Sequence, residues 1–195
     1  MTRPPRILLF AGSIRTGAYS GKVAAAAQKE LALQGAEVTR ISLGDYPLPI
    51  MNQDLETEEG VPENAIKLAR LFASHDAVMI CTPEYNGSIP PLLKNAIDWI
   101  SRAKENGKPI RAFSGRIGCI CCSSNGHFAG IRSASHLRQV LAHIQMDVIA
   151  SQVSVPNAGE AFDQNGDFKE ERLRNGMNRT CKALIETASL CMQMD

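Results

Sequence analysis

The stretch Ala77-Val78-Met79-Ile80-Cys81-Thr82-Pro83-Glu84-Tyr85-Asn86-Gly87-Ser88-Ile89-Pro90-Pro91-Leu92-Leu93-Lys94-Asn95-Ala96-Ile97-Asp98-Trp99 decides the fold. Its first five residues are wholly apolar, as a strand covered on both faces must be. Leu92, Leu93, Ala96, Ile97 and Ile100 then recur at helical spacing. Pro90 and Pro91 suit the first turn of that helix, where a missing N–H costs nothing. Between strand and helix lies a tight loop that carries Tyr85, Asn86 and Gly87 just past the strand's carboxyl end. In an open parallel sheet that is where ligands bind.

Upstream, Arg6-Ile7-Leu8-Leu9-Phe10-Ala11-Gly12 reads as a central parallel strand. It runs into Ser13-Ile14-Arg15-Thr16-Gly17-Ala18-Tyr19-Ser20-Gly21-Lys22, dense in hydroxyls and glycine. An alanine-rich helix is predicted over 21–34, closed by Gly35, with a second strand over 37–43. Residues 44–60 read as an irregular segment whose acids Glu56, Glu58 and Glu59 form a solvated loop rather than a metal site. Pro62 opens a helix ending near His75. Downstream, 101–115 reads as a basic connection turning at Ser114-Gly115. Arg116-Ile117-Gly118-Cys119-Ile120-Cys121-Cys122 reads as a strand emptying into the loop 123–130. A helix over 131–144, a strand within 147–155 and a final helix from about 168 complete the pattern.

Strands alternating with helices imply right-handed crossovers and a doubly wound parallel sheet. The expectation is a flavodoxin-like α/β three-layer sandwich, a five-stranded parallel sheet of order 2-1-3-4-5. That order places a flavin mononucleotide at the switch point between strands one and three. A single domain is expected over 1–195.

Composition bounds the partners. A formal net charge of +1 on 195 residues leaves no electrostatic footprint for nucleic acid or an anionic membrane. No apolar run approaches the roughly 20 residues that cross a bilayer, and Met1-Thr-Arg-Pro-Pro-Arg does not resemble a signal peptide. Of the cysteines, Cys81, Cys119, Cys121 and Cys122 fall on predicted strands and Cys181 and Cys191 on the last helix, with no zinc spacing. Buried thiols in a reducing cytoplasm are the expectation.

The first loop matches neither phosphate fingerprint. Gly21-Lys22 would end a G-x-x-x-x-G-K-[ST] motif, but Thr16 replaces its first glycine and Val23 its magnesium-binding hydroxyl; G-x-G-x-x-G is absent too. Hydroxyls of Ser13, Thr16 and Ser20, backbone N–H groups at a helix N-terminus and the Arg15 guanidinium suit a terminal monophosphate. The same loop equally reads as a helix cap with Ser20 at the N-cap. In the second loop Pro83 stiffens the turn, Gly87 permits close backbone approach and Tyr85 offers a flat face. Backbone N–H groups from Glu84 to Gly87 and the Asn86 side chain can meet the edge of a heteroaromatic ring. Glu84 alone is weak evidence for acid–base work; capping or a subunit contact suits it better. The loop 123–130 closes the site from the far side, with His127 within reach of a substrate. The histidines show no metal spacing and no G-x-S-x-G elbow is present.

Three segments together resemble the NADPH-dependent FMN reductase family, the flavodoxin-like group of quinone, chromate and azo reductases. They are Gly12-Ser13-Ile14-Arg15 with Ser20, then Pro47-Leu48-Pro49 with Asn52-Gln53-Asp54, and the long run from Pro83 to Trp99. The resemblance implies non-covalent FMN, with NADPH or NADH as co-substrate and a small-molecule acceptor. It places Ser13, Arg15 and Ser20 at the FMN phosphate, and Pro83, Glu84, Tyr85, Asn86 and Gly87 at the isoalloxazine and ribityl parts. Ser123, Ser124 and Gly126 fall where the family's third loop touches the ring. No protein residue is expected to be catalytic, since the cofactor carries the redox step. The resemblance also implies a homodimer or homotetramer, with the apolar third helix a candidate contact. Many relatives carry Asn at the position of Ser20 and a third loop richer in proline and glycine. The competing expectation is a flavodoxin-like electron carrier or regulatory flavoprotein without NAD(P)H turnover, which the near-zero net charge disfavours.

Overall fold

A computed structural model describes residues 3–193. The apolar runs become the strands β1 (Arg6–Ala11), β3 (Ala77–Pro83) and β6 (Ile117–Ser123), flanked by β2 (Glu37–Ile41) and β7 (Asp147–Val155). Between β3 and β6 in the chain lies a two-stranded antiparallel hairpin, β4 (Lys104–Glu105) with β5 (Lys108–Pro109). The main sheet is parallel throughout and its order is β2-β1-β3-β6-β7. Counted along the five strands this is the expected 2-1-3-4-5.

Alternation along the strands builds two cores. Ile7, Leu9, Met79, Cys81 and Cys121 face α1 (Tyr19–Leu33) and α6 (Glu171–Cys191), meeting Val23, Ala27, Leu31, Met177 and Leu184. Leu8, Phe10, Val78, Ile80 and Cys122 face the other way. There they meet Leu68 and Phe72 of α3 (Glu63–Ser74), Leu93 and Ile97 of α4 (Pro91–Arg102), and Leu137 and Leu141 of α5 (Ile131–His143). Cys121 and Cys122 thus lie on opposite faces of β6. The apolar face of α4 is spent on this core, so a subunit contact through α4 must use its other residues.

Two segments differ from the sequence reading. The acid-rich part of 44–60 is not irregular: Gln53–Glu59 forms α2, capped by Asn52, whose Oδ1 accepts the Asp54 N–H at 2.9 Å. None of its residues is buried, so no apolar stripe announces it. Glu56 is held by Arg102 at 2.9 Å. The hairpin in 101–115 turns on Asn106 (φ 51°) and Gly107 (φ 77°), the left-handed pair that a two-residue β-turn demands.

The opening motif also has structural duties. Asn95 Nδ2 and Trp99 Nε1 both donate to the Pro49 carbonyl, at 2.9 and 2.8 Å, while Asn95 Oδ1 accepts the Met51 N–H at 2.8 Å. These bonds strap 49–51 across α4.

Candidate functional site

The loops that follow β1, β3 and β6 meet at the carboxyl edge of the sheet. Gly12 N–H donates to the Cys81 carbonyl at 2.8 Å, which ties the first loop to the end of β3. Close packing sets this residue: a Cβ here would lie 3.2 Å from Leu93 Cδ2 and 3.4 Å from Pro83 Cδ. One residue on, the Ser13 and Tyr85 hydroxyls meet at 3.4 Å. The first and second loops are therefore in direct polar contact.

The loop after β3 is a self-satisfied turn. Tyr85 and Ser88 exchange both backbone bonds, at 2.9 and 3.0 Å. Asn86 (φ 49°) and Gly87 (φ 79°) take the left-handed central positions. Tyr85 is left 46% exposed, a flat face at the mouth of the site. Glu84 points the other way: its Oε2 accepts Arg132 N–H at 3.2 Å and its Oε1 accepts Arg132 Nη1 at 2.9 Å. The carboxylate thus charges and caps the N-terminus of α5, a position that favours a negative group. Only the backbone of Glu84 is left to meet a ligand. Ser133 Oγ donates to the Pro83 carbonyl at 2.8 Å and meets Thr82 Oγ1 at 3.0 Å. His136 Nδ1 meets Ser88 Oγ at 3.1 Å.

The loop after β1 is less complete. Arg15 donates to the Thr16 and Gly17 carbonyls at 3.2 and 3.4 Å, with its guanidinium 5.8 Å from the centre of the Tyr19 ring. The N-cap of α1 is Ala18, without a side-chain cap, and no acid occupies the first turn. Ser20 is not that cap. It is the second residue of the helix, buried, and its Oγ has no hydrogen-bond partner. Ser123, at the end of β6, repeats the situation: it is buried and its Oγ is unpartnered. It continues the alternation of Cys119 and Cys121, so it lies on the α1 side of the sheet, the side Ser20 faces. An unmet buried hydroxyl costs about 1–3 kcal/mol. Two of them lie on one side of the sheet, Ser20 in the first turn of α1, whose start is uncapped, and Ser123 at the end of β6.

The third loop folds back on its strand. Gly130 (φ 82°) is the N-cap of α5, and a Cβ there would lie 3.1 Å from Ser123 N and 3.2 Å from Cys122 Cβ. Ser124 Oγ accepts the Gly126 N–H at 3.1 Å, and Asn125 Oδ1 accepts that of Gly159 at 2.9 Å. A Cβ at Gly159 would stand 3.1 Å from the Tyr19 hydroxyl. Tyr19, Asn125 and Gly159 thus join the site's wall, unflagged by any motif. His127 is exposed beside Phe128, which is 61% exposed and has the Arg132 guanidinium 4.7 Å from its ring centre.

The Cys122 thiol, nearest the third loop, is not primed as a nucleophile. Burial pushes the Cys122 thiol up to about 11, against the partial relief of its bond to Ser154 Oγ at 3.2 Å. Cys81 and Cys119 are also raised, first by hydrogen bonding to Cys121 and then by burial.

The model of the NADPH-dependent FMN reductase family matches residues 5–160. The chain belongs to that family. It is 36% identical over 178 residues to a quinone reductase of Escherichia coli strain K12, covering 84% of this chain and 88% of the relative. It is 32% identical over 181 residues to an NAD(P)H-dependent FMN reductase of Pseudomonas aeruginosa, covering 92% of each. Among solved structures, a flavoenzyme NAD(P)H:(acceptor) oxidoreductase of Paracoccus denitrificans superposes with a TM-score of 0.80 at 25% identity, over 95% of this chain and 97% of that one. An FMN-dependent NADH-azoreductase of Bacillus anthracis in complex with FMN shares the fold, with a TM-score of 0.63 at 18% identity over 94% and 99%. The chain is thus a flavodoxin-like oxidoreductase of this family.

Proposed function

We propose that this protein is an FMN-dependent NAD(P)H oxidoreductase that serves a small-molecule acceptor of the quinone type. The observation that carries the reading is the pair of buried, unpartnered hydroxyls of Ser20, in the first turn of the uncapped α1, and Ser123, at the end of β6. They adjoin a preformed turn that offers backbone groups and the Tyr85 face. When bound, FMN supplies the two-electron chemistry, accepting hydride from NAD(P)H and delivering it to the acceptor.

The residues divide the work of holding it. Ser13, Arg15 and Ser20, with the first N–H groups of α1, would take the phosphate. Ser123 would meet the ribityl chain. Pro83 sets the entry to the ring platform. The backbone from Glu84 to Gly87 and the Asn86 amide would read the ring edge, while Tyr85 shields one border. Ser124 and Gly126 would close the far side. No residue need donate or accept a proton, in keeping with the engaged Glu84 carboxylate. The reading includes a single domain over 1–195, a cytoplasmic location and a homodimer or homotetramer. Among the described residues no helix is long and apolar enough to cross a membrane.

Purified protein should carry a flavin absorption spectrum that NADPH bleaches anaerobically and a quinone restores. A colourless protein that binds no added FMN would contradict the reading.

A further inference from the structure

A cleft of about 700 Å³ opens beside the first loop, between α1 and the end of β2. Its walls include no residue of the loops after β3 and β6, so it is not the ring platform. They do include Ser13, Arg15, Gln28, Arg40, Ser42 and Asp45. The volume falls within the roughly 300–1,000 Å³ of small-molecule sites.

Its charge is set by two guanidiniums bonded only to neutral groups. Arg40 donates from Nη2 to the Gly21 carbonyl at 3.2 Å and from Nη1 to Gln28 Oε1 at 3.4 Å. Arg15 donates to the Thr16 and Gly17 carbonyls. Among the described residues neither arginine forms an ion pair. These bonds orient each fork without cancelling its charge, and each guanidinium keeps further N–H donors for an anion. Lys22 also lines the cleft, with its ammonium 5.9 Å from the centre of the Phe162 ring, and adds a third positive charge. Asp45 is the single carboxylate of the wall, suited to a ribose hydroxyl rather than a phosphate.

We infer that this cleft takes the 2′-phosphate end of NADPH, with Arg40 as the residue that reads it; the inference rests on the hydride-donor role proposed above. The two regions are joined at Ser13, which lines the cleft and meets the Tyr85 hydroxyl at 3.4 Å. A dinucleotide with its nicotinamide over the ring platform would run outside the FMN phosphate held at Ser13 and Arg15 and end at Arg40, the guanidinium that FMN leaves free. Arg15 belongs to the phosphate loop as well as to the cleft. Arg40 belongs to the cleft alone, on an edge strand and exposed, so its replacement leaves both cores intact. NADH lacks the phosphate and gains nothing from Arg40.

The test is Arg40→Gln in the FMN-loaded protein, with KM measured for both nicotinamides. The ratio of NADPH to NADH efficiency should fall about tenfold, the value of one charge-assisted contact. Calorimetry with 2′,5′-ADP on the same proteins should show binding weakened about tenfold by Arg40→Gln, with 5′-AMP binding poorly to both. An unchanged ratio would overturn the inference. So would equal affinity for 2′,5′-ADP and 5′-AMP, or inorganic phosphate binding as tightly as 2′,5′-ADP, which would make the cleft a free-anion site. If neither nicotinamide reduces the flavin, the hydride-donor reading fails by itself, and the 2′,5′-ADP titration still decides the cleft.

Discussion

The loop after β3 and the loop after β1 stand side by side, joined through Tyr85 and Ser13, yet they are built on opposite terms. In the first of these, the backbone turn and the carboxylate have partners within the protein, Tyr85 with Ser88, Glu84 with Arg132 and the Pro83 carbonyl with Ser133, and the Asn86 amide is left free among the described residues. The second leaves a helix start uncapped and, behind it, the buried Ser20 hydroxyl unmet. A flat, largely apolar ring needs a platform that is rigid before it arrives, because ordering a loop on binding costs affinity. A phosphate brings charge enough to complete a site that is unfinished without it. On the proposed function, this difference assigns the ring to the loop after β3 and the phosphate to the loop after β1.

Substitutions can break this contrast from either side. The largest effect belongs to Gly130→Ala, which puts a Cβ 3.1 Å from Ser123 N at a φ of 82°. It should destabilise the protein by about 2–4 kcal/mol and lower Tm, because strain and overpacking coincide. Glu84→Gln should follow, at about 1–2 kcal/mol, since it removes the charge from the α5 cap while the half-exposed Arg132 is partly compensated by water. Chemical denaturation would show this loss even without FMN.

Ser20→Ala should behave in the reverse manner. The stripped protein should be no less stable, and up to about 1 kcal/mol more so, because an unmet hydroxyl is removed. FMN binding, followed by flavin fluorescence, should weaken about tenfold. Should Ser20→Ala destabilise the stripped protein, the hydroxyl is structural and the contrast between the loops fails.

The smallest effect lies at the far end of β3 and serves as a control. Burial works against the charge of Asp76, but the Arg3 guanidinium at 2.6 Å and the Arg6 N–H outweigh it and hold the carboxyl below its ordinary value of 3.8. A depressed carboxylate contributes stability above its unfolded pKa and loses it as pH falls through the folded value. Asp76→Asn should therefore cost about 1 kcal/mol near neutrality, with the gap to the parent protein closing in the acid range below about pH 4. FMN affinity should not change.

The sheet and its order were legible because β1, β3 and β6 are buried on both faces and so read as unbroken apolar runs. Helix α2 was not, since a helix that buries nothing carries no periodic stripe. The hairpin at 104–109 escaped for a related reason: two-residue strands have no alternation to detect, although Asn106-Gly107 names the turn. At the site, the loops could be located by their position after strands, and Tyr85, Asn86 and Gly87 by their residue types. The direction of a side chain could not. Glu84 turns to Arg132, 48 residues away, and Asn125 to Gly159, 34 residues away, through tertiary approach that no local pattern encodes. That Ser20 is a buried residue of the first turn rather than the cap of α1 follows from the helix starting at Tyr19, two residues before the predicted Gly21.

We propose that the β1 side of the FMN site is completed by the phosphate, whereas its β3 side is finished beforehand. Equilibrium titration of the stripped protein with FMN and with riboflavin, which differ only in that phosphate, tests it most directly. FMN should bind about a hundredfold more tightly, as two or more charge-assisted contacts imply, and Ser20→Ala should narrow the gap. Equal affinities for the two, or a gap that Ser20→Ala leaves untouched, would contradict the claim.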